Sequence, residues 1–227
     1  MELKAFIKEL NGNRVEGELL KTIFYSLLTS FSILGLLYLF EFRFTPDFMA
    51  SQGYFLFFSA LSYALIVPTI RQVRAYKELA CMSGMMIGMT LGMIAGFLPG
   101  FFVASTNGMF VGSLFGMGTG IILGAWNGKC CGVMGIMEGL MAGFMGGLMG
   151  AMTAFMLLND NLLPAMIIIF LICAVILFTL NYMVYKEMKH EQRKLEEDHL
   201  RTFIITSVLM LLTVWVMVFG PRSGIFS

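Results

Sequence analysis

Soft donor atoms recur along this sequence at regular spacings. Cys81, Cys130 and Cys131 stand at the edges of apolar segments, and methionines repeat at Met85, Met89 and Met93 and again at Met134, Met137, Met141, Met145 and Met149. Thiolate and thioether sulfur favour Cu(I), whereas zinc sites usually add histidine or carboxylate, so these residues form the candidate metal-ligand set. Glu138 falls inside the second methionine row, and an ionisable group within an apolar segment is a functional candidate by default, here as a proton or cation relay. Cys173 stands alone in another apolar stretch and reads as a buried, inert residue.

The spacing of Met85, Met89 and Met93, interleaved with a GxxxG row, resembles the MxxxM and GxxxG elements of the eukaryotic copper importers. The vicinal Cys130 and Cys131 are similar to the paired cysteines of membrane mercury carriers. Both likenesses cover those residues alone, and what they imply is a shared chemistry of soft-ion handling.

The elements that carry these residues are membrane helices. Hydrophobic residues make up 58% of the chain and charged residues 13%, about half the charge of a soluble domain. Apolar blocks long enough to cross a bilayer lie near 20–40, 50–70, 80–102, 107–126, 130–157, 162–185 and 201–220. The expected fold is therefore an all-α, polytopic membrane bundle of about seven spans. The pair around Pro99 is the least defined, because 99–107 reads either as a loop or as the tip of a re-entrant hairpin.

Seven spans put the termini on opposite sides. With the N-terminus in the cytoplasm, nearly all lysines and arginines fall inside, and only Arg43 and Arg222 fall outside. This orientation points to a multi-pass protein of the plasma (inner) membrane. Residues 1–18 form a charged, amphipathic cytoplasmic segment without the apolar core of a secretory signal, so the first span is expected to be retained. The organisation then reads as two helices over 19–78, a three-helix core over 79–158, and two further helices over 159–227 with a charged cytosolic extension at 186–200.

The three-helix core repeats one pattern, GMMIGMTLGMIAGFLPG from Gly84, GMFVGSLFGMGTGIILG from Gly108 and GIMEGLMAGFMGGLMG from Gly135, as an internal triplication would. Glycine at every fourth position lets helix backbones approach in lipid, which assigns Gly84, Gly88, Gly92, Gly96, Gly135, Gly139 and Gly143 to helix packing. The row from Gly84 drifts about 40° per step, so its helix should touch two neighbours. On a wheel for the helix after Cys130, the glycines gather near about 45° and the methionines near about 265°, with Glu138 at about 300°. Cys130 and Cys131 fall at the cytoplasmic end of that methionine stripe, at about 220° and 320°. Because a carboxylate facing lipid is costly, the stripe is expected to face protein or a wet cavity.

With the thiols inside and the methionines deeper, weak thioether sites would lead to a tighter thiolate site, from which the ion could pass to a cytosolic metal carrier. The first expectation is thus a carrier or transporter of a soft metal, Cu(I) preferred. Two other readings fit the same residues: an assembly protein whose glycine-zipper helices pack with other copies or a larger complex, and a small proton or solute channel using Glu138. The chain has no GxxxxGK[ST] loop, no HExxH, no CxxC and no dinucleotide fingerprint, which argues against an enzyme. A formal net charge of +1 gives no field for nucleic acid.

Overall fold

The computed structural model describes residues 15–40, 46–75, 81–158, 161–188 and 199–221, and these are helical throughout apart from the turns, with no strand among them. The helices are α1 (Val15–Phe40), α2 (Pro46–Ala75), α3 (Cys81–Asn107), α4 (Met109–Gly128), α5 (Gly132–Met156), α6 (Leu162–Met188) and α7 (His199–Phe219). Five stretches are long and apolar enough to cross a membrane, so this is a multi-pass membrane protein. One of the five, Met109–Met156, is folded at a 3₁₀ turn, Lys129–Cys131, into α4 and α5. The segment read over 1–18 and the extension read over 186–200 lie mostly outside the described residues.

Small residues decide how α3, α4 and α5 assemble. Gly88, Gly128 and Gly135 meet in one layer, followed by Gly92 with Gly124 and Gly139, Gly96 with Gly120 and Gly143, and Gly100 with Gly116 and Gly147. From layer to layer the α3 and α5 numbers rise together while the α4 numbers fall. Helices α3 and α5 therefore run parallel, with α4 antiparallel between them in sequence. The same register places Ala104, Gly112 and Ala151 in the next layer, and Ala104 and Ala151 are fully buried. A Cβ at Gly120 would stand 2.8 Å from the Gly143 carbonyl oxygen and 2.8 Å from Gly96 Cα, so backbone touches backbone and no lumen is left between these helices. The α3 row contacts both neighbours, and Gly146 and Gly150 widen the α5 contact by packing on the main chain of Met93 and Phe97.

The region around Pro99 departs from the expected loop or re-entrant tip. Helix α3 continues through Pro99 to Asn107, and the chain reverses at Gly108, whose φ of 106° only glycine adopts readily. Proline has no N–H for the carbonyl four residues back, which is Ala95, and Thr119 Oγ1 of α4 approaches that oxygen at 3.2 Å. A neighbouring helix thus supplies the missing donor, as proline inside a membrane helix requires.

The other face of α3 is aliphatic and aromatic. Ile87, Leu91, Leu98, Phe101 and Phe102 are buried with Leu56, Tyr63 and Ile66 of α2, Met166 of α6 and Met210 and Met217 of α7. Polar ties fix the helices around that core. Tyr63 and Thr213 hydroxyls are 2.7 Å apart, Asn107 Nδ2 donates to the Val216 carbonyl at 2.9 Å, and Gln72 Nε2 and Asn181 Nδ2 link α2 to α6.

Candidate functional site

The three candidate thiols come together at one end of the glycine column. Cys81 opens α3, and the turn Lys129–Cys131 carries the other two. Cys131 Sγ donates to the Cys81 carbonyl at 2.9 Å, and Cys130 Sγ donates to the Asn127 carbonyl at 3.4 Å. Gly84 makes this possible. A Cβ there would lie 2.8 Å from Cys130 Sγ and closer still to Cys131 Sγ. Cys81 and Cys130 are exposed, Cys131 is half-buried, and Cys173 is buried apart from them on α6.

The wheel placement of Cys130 and Cys131 is corrected by the backbone. Gly132 has φ +67°, so the α5 helix begins there and its phase does not extend to the cysteines. Cys131 instead follows the glycine register: its Cβ is 3.1 Å from where a Gly135 Cβ would be. The thiols cap the interior column, and the methionine row runs down another face.

That row faces outward. Met134, Met137, Met141, Met145 and Met149 are each between 53% and 63% exposed, and Glu138 among them is half-buried. Met89 is also exposed, while Met85 and Met93 are half-buried. The enclosure expected around the stripe is therefore not supplied by the described residues of this chain. Among those residues no group of three or more His, Cys, Asp or Glu side chains is placed as a metal cage.

Several contacts at the thiol end involve residues that spacing alone did not single out. Ser83 Oγ donates to Glu187 Oε1 at 2.5 Å, joining α3 to α6, and the Arg74 guanidinium lies 4.1 Å from the centre of the Trp126 ring. Gly116, Gly120 and Gly124 of α4 and Gly147 of α5 belong to the layers as fully as the α3 row does, and their four-residue spacing, from Gly116 to Gly124 on α4 and from Gly143 to Gly147 on α5, was the available signal.

Comparison with protein-family models, with curated proteins and with solved structures found no match to this chain.

Proposed function

We propose that this membrane protein accepts a soft metal ion, Cu(I) by preference, at the end of the α3–α5 column where Cys81, Cys130 and Cys131 converge. The observation that carries this reading is that Gly84 of α3 leaves room for the sulfurs of Cys130 and Cys131 from a turn far away in sequence, and that Cys131 is tied to the main chain of Cys81. Cu(I) accepts a small number of soft donors, so a pair of thiolates with a third thiol or a nearby methionine is a sufficient ligand set. In this reading the chain spans the plasma (inner) membrane seven times with its N-terminus in the cytoplasm, the thiols lie at the cytoplasmic face, and a cytosolic carrier exchanges metal with them. An ion does not pass along the axis of the column, where backbones touch; any transmembrane path runs along the outer methionine face once that face is covered.

The deciding experiment is metal analysis of the purified protein with and without a Cu(I) chelator, for the native chain and for Cys130→Ser with Cys131→Ser. Stoichiometric Cu(I) lost in the double variant supports the reading. Metal-free native protein that cannot be loaded under reducing conditions overturns it.

A second reading, assembly, is favoured by the outward position of Glu138 among exposed methionines. The glycines are consumed within the chain, so the contact would be made by this methionine face and not by glycine zippers. A second copy related by a two-fold axis would bring its own Glu138 opposite, giving each carboxyl a polar partner away from lipid.

A further inference from the structure

The thiol end also carries chemistry that needs no metal. Cys81 and Gly84 are three residues apart on α3, so they share one helix face. The α4–α5 turn packs directly on that face, where Cys131 Cβ is 3.7 Å from the position a Gly84 Cβ would take. Cys131 Sγ donates to the Cys81 carbonyl at 2.9 Å, and the same thiol is within hydrogen-bonding reach of the Cys81 and Cys130 side chains. Cys131 is thus the sulfur that both neighbours share.

Of its two partners, Cys81 is the better placed to bond it covalently. Neighbouring Cα atoms stand about 3.8 Å apart across a trans peptide, below the roughly 4.4–6.8 Å that disulfides span, so a Cys130–Cys131 bond would strain the turn. Cys81 is free of that limit because it belongs to another helix. The start of that helix is fixed in place by the hydrogen bond from Ser83 to Glu187 of α6. Cys81 is exposed and Cys131 half-buried, so a small reagent reaches the first while the second stands beside it. Cys173 is buried apart from them on α6.

We infer that Cys81 and Cys131 are a redox pair, which a low-molecular-weight disulfide of the glutathione class converts into an intramolecular disulfide. The Cys81 thiolate attacks one sulfur of the small disulfide, forming a mixed disulfide and releasing one small thiolate. The Cys131 thiolate then attacks Cys81 Sγ, and the second small thiolate leaves. The two departing thiolates take up the two cysteine protons, so the pair loses two electrons and the small disulfide gains them. The new bond staples the start of α3 to the α4–α5 turn. It also withdraws two thiols from any soft metal ion held there, so oxidation would release the ion. The redox step itself does not rest on the metal reading.

The test uses the full chain in neutral detergent micelles, freed of metal with a chelator and equilibrated in mixtures of reduced and oxidised glutathione. Acid quenching, maleimide labelling and peptide mass spectrometry then count the thiols and locate the bond. Two of the four cysteines should be lost together as a Cys81–Cys131 disulfide, with Cys130 and Cys173 still labelled. Cys131→Ser should stop at the mixed disulfide on Cys81. Its half-oxidation should need a glutathione disulfide fraction about tenfold higher or more, because closure within one chain has a high effective concentration. Cys130→Ser should form the Cys81–Cys131 bond as the native chain does. Absence of that bond at every glutathione ratio, or a Cys130–Cys131 bond as the main product, overturns the proposal. Metal analysis of the same preparations separates the two readings: Cu(I) binding without a disulfide rejects the redox pair alone, and a disulfide without Cu(I) binding rejects the metal site alone.

Discussion

Thr119 Oγ1 sits 3.2 Å from the carbonyl oxygen of Ala95, the acceptor that Pro99 leaves without a donor in its own helix. The hydroxyl also lies within reach of the Phe115 and Gly116 carbonyls of α4, so it bridges two helices at a buried position. Thr119→Val keeps the shape and removes the donor, and should destabilise the bundle by about 0.6–1.7 kcal/mol, the range for hydrogen bonds between membrane helices. In a Pro99→Ala background residue 99 can donate to Ala95 again, so the same substitution should cost measurably less. Unfolding titrations of the four proteins in micelles give the coupling; additive effects would show that Thr119 does not serve the proline.

Glycine positions divide sharply by what a methyl group would meet. At Gly120 it meets only backbone, on Gly143 and Gly96, and neither can move without separating the helices. Gly120→Ala is expected to cost about 3 kcal/mol or more, the upper end for overpacking a tight core. At Gly118, two residues away on the same helix, nothing lies within 4 Å. Gly118→Ala should be neutral or slightly stabilising, because alanine is the better helix former. Unfolding midpoints in one detergent check the pair, and equal effects at both sites would contradict the layered packing.

The contrast shows why some of the architecture is legible in the residues and some is not. The four-residue glycine period survives from sequence to structure, because it is a property of one helix that its neighbours only complete. Pro99 looks like a helix end because the rule for proline counts donors within one helix, and the donor that rescues Ala95 comes from α4. The cysteine phase failed at Gly132 for another reason. With 25 glycines in the chain, the residue type does not reveal which one takes a positive φ, and a single such residue resets the helical phase of everything before it. Whether the methionine face is covered is likewise invisible in one sequence, since the same period serves lipid, a cavity or a partner.

The separation of the thiols from the methionine row gives a direct prediction for metal binding. Cys131→Ser should lower Cu(I) stoichiometry, while Met141→Leu with Met145→Leu should leave it unchanged, because those thioethers lie on the exposed face of α5. Thiols bind metal as thiolates and release protons in doing so, so Cu(I) affinity should fall as the pH is lowered. Competition titrations with a chromogenic Cu(I) chelator at two pH values read both effects. Equal loss of metal in the cysteine and methionine variants would place the binding site on the outer stripe instead.

Glu138 tests whether that stripe is covered. A charged carboxylate exposed to lipid is costly, so a bare methionine face is an unfavourable surface for it. With the four native cysteines replaced by serine, Met141→Cys should cross-link two copies through an oxidised disulfide. Ile122→Cys, on the exposed side of α4, should not. Adding Glu138→Leu should reduce the Met141→Cys dimer, whereas Glu138→Gln should retain it, because an amide still pairs across a two-fold axis and leucine cannot. Cross-linking of equal yield at both positions would mean random collision in the membrane. No cross-linking at either would assign the methionine face to lipid, and then Glu138 would have to meet its polar needs within its own chain or with water.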